Sequence, residues 1–153
     1  MRWLELRVPP PVVAVIAALA IWALRRLFPE EGVFIPGRRA IYGTLLAVGL
    51  LVVILGWAEF RRARTTVNPM QPDAASSLVT GGIYRWTRNP MYLGMALVLC
   101  AVAVFFSNPL GLAPVVVFIA WMNLFQIAPE ERALRSRFGT AFDEYCERVR
   151  RWL

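Results

Sequence analysis

Residues 91–128 read MYLGMALVLCAVAVFFSNPLGLAPVVVFIAWMNLFQIA and carry no charged side chain. The polar pair Ser107-Asn108, followed by Pro109, divides the run into 91–106 and 109–128. A helix needs about 20 apolar residues, within a range of roughly 17–25, to cross the hydrocarbon core of a bilayer. Segment 109–128 fits that length, and 91–106 is short but extended at its start by Asn89 and Pro90. With only two residues between them, the two helices must form a tight antiparallel hairpin. The start of the first and the end of the second then share one membrane face. Upstream lie two more uncharged stretches, 8–24 (VPPPVVAVIAALAIWAL) and 40–58 (AIYGTLLAVGLLVVILGWA). The expected fold is an all-α integral membrane protein of one domain, 1–153. It has four transmembrane helices, a tight helix 3–4 hairpin, a cytoplasmic loop at 59–90 and C-terminal cytoplasmic amphipathic helices in 129–153.

The composition agrees. The 153 residues are 58% hydrophobic, against roughly 45–50% in ordinary globular domains. All 17 basic residues are arginine and the net charge is +7. Histidine and lysine are absent. That excludes a histidine general base, a Ser-His-Asp triad, histidine metal ligation and lysine Schiff-base chemistry. Cys100 and Cys146 form no CxxC, so neither a zinc ribbon nor a redox motif is expected and no metal site is assigned. If the N-terminus is cytoplasmic, 13 arginines lie inside and four, in 25–39, lie outside. The positive-inside rule favours that arrangement, with both termini cytoplasmic. A cleaved signal peptide is the alternative for 8–24. Glu5 among the leading arginines, and Arg25-Arg26 in place of a small-residue cleavage site, favour a retained helix. The arginines fall where topology puts them, so nucleic acid is not an expected partner; membrane lipids are. The sequence sets no oligomeric state.

Polar chemistry gathers at one face. In GGIYRWTRNPMYLG (81–94), Asn89-Pro90 reads as a helix N-cap followed by proline at the first helical position. A well-made helix start explains those two residues but not Tyr84, Arg85, Arg88 and Tyr92 around the same point. Arg88 beside a helix N-terminus could clamp a carboxylate or phosphate, with lipid headgroup phosphate as the plain alternative. In PEERALRSRFG (129–139), Pro129, Glu130 and Glu131 suit the start of a new helix, and Glu131 to Arg135 is an i,i+4 pair. The carboxylates could equally bind a cation or a ribose diol. The hairpin brings Tyr84, Arg88, Asn89 and Tyr92 near Gln126, Glu130 and Glu131. ARTTVNPMQP (63–72) is a polar loop, most simply turn structure. In the tail, Gly139 ends one helix, and Thr140 with Asp143 resembles a capping box for an arginine-rich amphipathic helix.

Taken in order, these segments resemble the isoprenylcysteine carboxyl methyltransferase and phospholipid methyltransferase superfamily. The resemblance covers about residues 55–152. It rests on ARTTVNP at 63–69, on Gly82-x-Tyr84 leading to RNPMYLG at 88–94, and on Pro129-Glu130-Glu131 with Leu134, Phe138-Gly139 and Tyr145. It implies a membrane-embedded, S-adenosylmethionine-dependent methyltransferase acting on a lipophilic acceptor: a prenylcysteine-like carboxylate, a lipid amine or a thiol. By the same resemblance, Tyr84, Arg88, Asn89, Pro90, Tyr92, Gly94, Glu130 and Glu131 would form the cofactor site. Arg88 and Glu131 would serve catalysis, Arg88 by placing an anionic acceptor, and Thr66 and Asn68 would contact the acceptor. Gly94 would let the cofactor or a neighbouring helix approach closely. Asn89 stands where many members have histidine; it can hydrogen-bond but not titrate near neutral pH.

Methyl transfer from a sulfonium needs alignment more than acid–base help. A carboxylate acceptor needs no base; a thiol or amine would lose its proton to Glu130, Glu131, Glu59 or solvent. Two readings compete: a small four-helix transporter using Glu59, and a non-catalytic scaffold. Glu59 sits at a helix end rather than mid-bilayer, which weakens the transporter. The all-arginine bias points to a GC-rich prokaryotic genome and hence to the inner, cytoplasmic membrane.

Overall fold

The computed structural model describes residues 4–63 and 76–153. Those residues form helices joined by turns and short irregular segments, with no strand among them. Helix α1 (Pro10–Leu27) begins with proline at its first position, where a missing N–H costs nothing. It stops at Phe28, ahead of Pro29, with Arg25 and Arg26 in its last turn. The Arg25 guanidinium returns to the Pro29 carbonyl at 2.6 Å. Helix α2 (Arg38–Arg62) starts after Gly37, whose φ of 67° suits glycine. Helix α3 (Pro90–Phe106) ends at Ser107 in a left-handed conformation. Asn108 then caps the next element by accepting the Leu110 N–H at 3.0 Å. The two-residue hairpin is present as expected.

α1, α2 and the continuous helix Pro109–Phe138 are long and apolar enough to cross a membrane, while α3 is a shorter apolar helix of 17 residues. The chain is an integral membrane protein. Its outward side chains, such as Ile16, Leu51, Ile54, Val116 and Val117, are exposed, as expected where the solvent is lipid. The interior is built from Ala17, Ile21, Leu99, Phe118, Met122 and Ile127. α2 and α3 pack so closely that a Cβ placed on Gly94 would lie 2.5 Å from the Gly49 carbonyl oxygen. Small residues at a helix crossing give membrane helices this close van der Waals contact.

The main difference from expectation lies at Pro129. It does not open a new helix. α4 (Leu112–Trp121) passes through a π-helical turn (Met122–Ile127) directly into α5 (Ala128–Phe138). Proline inside a helix leaves the carbonyl four residues earlier without its N–H partner. Here that carbonyl, on Phe125, accepts the Leu6 N–H at 3.0 Å instead. α6 (Thr140–Arg148) follows Gly139 without the expected capping box. Asp143 pairs with Arg135 at 2.7 Å, so neither Thr140–Asp143 nor Glu131–Arg135 forms as read.

Candidate functional site at the α3–α5 end

Arg88, just ahead of α3, is the centre of a buried polar cluster. Its side chain is 14% exposed. One terminal nitrogen donates to the carbonyls of Cys146 (3.0 Å) and Val149 (2.8 Å). The other donates to Glu131 Oε1 at 2.8 Å, and the Arg88 backbone N–H meets the Arg150 carbonyl at 3.0 Å. Nε is buried without a hydrogen-bond partner among the described residues. A planar fork of this kind suits several acceptors held in fixed positions. Arg151 also reaches Glu131, with Nε 3.1 Å from Oε1 and Nη2 on Oε2. Glu131 is therefore held between two guanidinium groups.

Glu130, one residue earlier, has neutral partners. Its Oε1 accepts from Tyr92 Oη and Gln126 Nε2, each at 2.5 Å. Oε2 has no hydrogen bond among the described residues. Two adjacent carboxylates thus occupy opposite electrostatic settings. One is ion-paired with two arginines; the other is hydrogen-bonded only by a phenol and an amide.

The tail is strapped across this end. Asn89 holds the N-cap position of α3 without capping it. Its Nδ2 instead donates to the Arg151 carbonyl at 2.9 Å, which Thr87 Oγ1 also reaches at 3.3 Å. Trp152 Nε1 donates to Asn123 Oδ1 in the π-turn at 3.0 Å. Beneath, Tyr84, Phe142, Tyr145 and Val149 form a second apolar cluster. Tyr145 Oη donates to the Tyr84 carbonyl at 2.7 Å. Burial raises the Tyr84 and Tyr145 hydroxyls well above the usual phenol range, so both stay neutral. Burial also raises the Cys146 thiol.

Of the residues singled out in the sequence, Arg88, Asn89, Tyr92, Glu130 and Glu131 come together. Pro90 begins α3 and is buried. Tyr84 lies in the adjoining aromatic cluster, edge-on to Phe60 at 5.6 Å between centroids. Gly94 lies against α2 rather than in the cluster. Thr66 and Asn68 lie outside the described residues. Glu59 pairs with Arg62 at 2.9 Å and lies against the Gly81-Gly82 turn. Among the described residues, no three or more His, Cys, Asp or Glu side chains gather as a metal-ligand group. Arg151 and Asn123 are the members that sequence reasoning missed. At the opposite end, an open pocket of about 550 Å³ is lined by residues including Phe34, Arg38, Arg39 and Ser107. It is separated from the cluster by the length of α3, about 25 Å at 1.5 Å per residue.

The phospholipid methyltransferase family profile matches residues 38–141, which include the hairpin and both glutamates. The chain belongs to this family. It is 32% identical to the protein-S-isoprenylcysteine O-methyltransferase of Tribolium castaneum over 142 residues, 88% of this chain and 49% of that one. The mouse protein of the same name is 30% identical over 143 residues, 88% of this chain and 48% of that one. The chain thus spans about half the length of these two relatives. An uncharacterised protein of Haemophilus influenzae is 44% identical over 63 residues, 41% of this chain and all of that one. This family member therefore carries the arginine–glutamate cluster at one end of a membrane bundle.

Proposed function

We propose that the protein is a membrane-embedded S-adenosylmethionine-dependent methyltransferase acting on a lipophilic acceptor. The acceptor class is a prenylcysteine-like carboxylate, a lipid amine or a thiol. All four apolar helices cross the membrane in this reading, with the cluster and both termini cytoplasmic, in a prokaryotic inner membrane. The observation that carries it is the asymmetry of the two glutamates. Glu131 is ion-paired with two arginines, whereas Glu130 is hydrogen-bonded only to the neutral Tyr92 and Gln126, with Oε2 unbonded among the described residues, and an acidic group without a side-chain cation beside it favours a cationic ligand. S-adenosylmethionine brings an ammonium group, a ribose diol and an already activated sulfonium methyl. The donor set fits it: Glu130 Oε2 faces the cationic or diol part, and Tyr92 and Gln126 fix that carboxylate in place.

Arg88 acts here as a positioning residue, because its terminal nitrogens are engaged by the tail and Glu131. Alignment of the two reactants is the chief contribution asked of the protein, worth about 7–11 kcal/mol when it is complete. The strapped tail excludes water from the same place. A carboxylate acceptor requires no proton transfer. For an amine or thiol, Glu130 is the better placed base, since Glu131 is held by two cations. Thr66 and Asn68 remain proposed acceptor contacts.

Calorimetry in detergent tests the reading. Wild type should bind S-adenosylmethionine saturably, and Glu130→Gln should weaken binding by about tenfold or more, the worth of one charge-assisted hydrogen bond. Radiolabelled methyl transfer into a lipid extract then identifies the acceptor class. Wild-type protein that binds no S-adenosylmethionine would sink the proposal.

A further inference from the structure

The π-turn Met122–Ile127 separates the lipid-facing part of the long helix from the part that carries the glutamates. An α-helix turns about 100° per residue, so positions eight apart on a straight helix lie about 80° apart around the axis. Asn123 and Glu131 are eight apart, yet both contact Arg151, at 3.5 Å and 3.1 Å respectively. If the π-turn absorbs one residue, the effective separation is seven, and the two side chains fall within about 20° of each other. The extra residue need not enter the interior: Leu124 is 63% exposed, while Met122 and Gln126 on either side of it are buried.

Two further observations hold the turn open. Pro129 supplies no N–H to the Phe125 carbonyl, so that carbonyl is not drawn back into an α-helical bond. The Leu6 amide occupies it from outside, with Leu6 in a left-handed backbone conformation (φ 56°) uncommon for a branched residue. Glu5 pairs with Arg132, one position beyond the acidic pair. The segment around Leu6 therefore seats on the helix where proline has opened it.

We propose that this π-turn, kept open by Pro129 and seated by the Leu6 amide, is the register device that turns Glu131 onto one face with Asn123 for the tail and thereby sets the direction of the neighbouring Glu130 for the cofactor. The inference rests on the methyltransferase reading for its cofactor half only. The tail half follows from the contacts alone. Pro129 and Leu6 act through the glutamates and are positioning residues; Leu124 contributes only its place in the residue count, not its side chain.

The test removes one residue without touching the cluster. Deletion of Leu124 closes the turn to α and swings the downstream face by about 100°. Two readouts are taken on purified protein in detergent: S-adenosylmethionine affinity by calorimetry, and trypsin release of short C-terminal peptides after Arg148, Arg150 or Arg151. The deletion should abolish cofactor binding and accelerate peptide release by about tenfold or more, as expected for loss of the Arg151 ion pair. Leu124→Ala should match wild type in both. Inserting an alanine between Phe125 and Gln126 in the deleted protein should restore both, because residue count rather than the leucine side chain is what matters. Should the deletion fail to fold, Pro129→Ala decides. It returns an N–H to the helix and should move both readouts in the same direction by a smaller factor. A deletion, or Pro129→Ala in its place, that leaves tail release unchanged overturns the proposal. If wild type binds no S-adenosylmethionine, the methyltransferase reading fails, and tail release alone judges the register.

Discussion

Arg88→Ala removes the hub of the strapped tail. The carbonyls of Cys146 and Val149 lose their Arg88 donor, and Glu131 Oε1 loses one of its two. Glu131 is not orphaned, because Arg151 still holds it. The full penalty for breaking a buried ion pair, roughly 3–5 kcal/mol, therefore does not apply. The two carbonyls are left without the donor at partly buried positions, and each such loss costs about 1–3 kcal/mol. Water reaches some of that surface when the side chain is cut back, so about 3 kcal/mol for docking of the tail is a reasonable sum. At 1.4 kcal/mol per decade this is about a hundredfold in the open population. Where opening and closing are fast relative to cleavage, proteolysis follows that population. Trypsin release of the peptides after Arg148, Arg150 or Arg151, followed by mass spectrometry, should accelerate by about a hundredfold. Arg88→Lys keeps the charge but offers one nitrogen in place of a fork, so it should recover less than half of the lost free energy. A rise of less than about threefold in the alanine variant, under 0.7 kcal/mol, would refute the assignment of Arg88 as the tail's anchor.

Glycines in α2 and α3 divide sharply. A Cβ at Gly94 would meet backbone of α2 at 2.5 Å, whereas one at Gly43 meets nothing within 4 Å. Thermal unfolding in detergent should show Gly94→Ala destabilised by about 1–3 kcal/mol and Gly43→Ala unchanged or stabilised by up to about 1 kcal/mol. Asn89→His should keep cofactor affinity and tail protection, since an imidazole N–H can serve the Arg151 carbonyl; Asn89→Ala should loosen the tail by about 1 kcal/mol in the trypsin assay. Equal behaviour of the two Asn89 variants would remove that hydrogen bond from the account. Burial raises the Cys146 thiol, so less thiolate is present at pH 8 than in a free thiol. Its alkylation by iodoacetamide should be slower than that of a cysteine peptide, and should speed up when Arg88→Ala releases the tail; alkylation as fast as the peptide's would contradict this burial.

Much of the architecture was legible because lipid as solvent makes a simple demand: long uncharged runs, closed by arginines. Ser107-Asn108-Pro109 left room only for a hairpin, and the hairpin alone placed Arg88 and Tyr92 opposite Glu130 and Glu131. What escaped was the effect of distant backbone on local signals. Pro129-Glu130-Glu131 has every local mark of a helix start. Nothing nearby in sequence says that the Phe125 carbonyl will be met by an amide more than a hundred residues earlier. Arg151 was hidden differently. It is one of three arginines in the tail, and only the fold separates the one that holds Glu131 from Arg148 and Arg150. Asn89 read correctly as the position before a helix, but its side chain serves the tail and not the helix.

The missing histidine bears on how the site divides its work. A histidine at position 89 could bond the Arg151 carbonyl and also exchange a proton; asparagine retains only the bond. The cluster accordingly shows charge placement without a titrating imidazole: one glutamate clamped by two arginines, the other held by a phenol and an amide. Of the four side chains that hold this pair, only the two arginines carry charge. Arg88 is also tied to the tail's backbone, so the end of the chain and the electrostatics of the acidic pair are set together. If cofactor binding requires Glu130 to stay charged beside neutral partners, then Glu131 must be neutralised by Arg88 and Arg151 before a second carboxylate can be tolerated next to it. Loosening the tail should therefore weaken cofactor binding even when no residue facing the cofactor is changed, and Arg151→Gln, which keeps amide hydrogen bonding but removes the charge, separates that electrostatic coupling from simple coverage of the site.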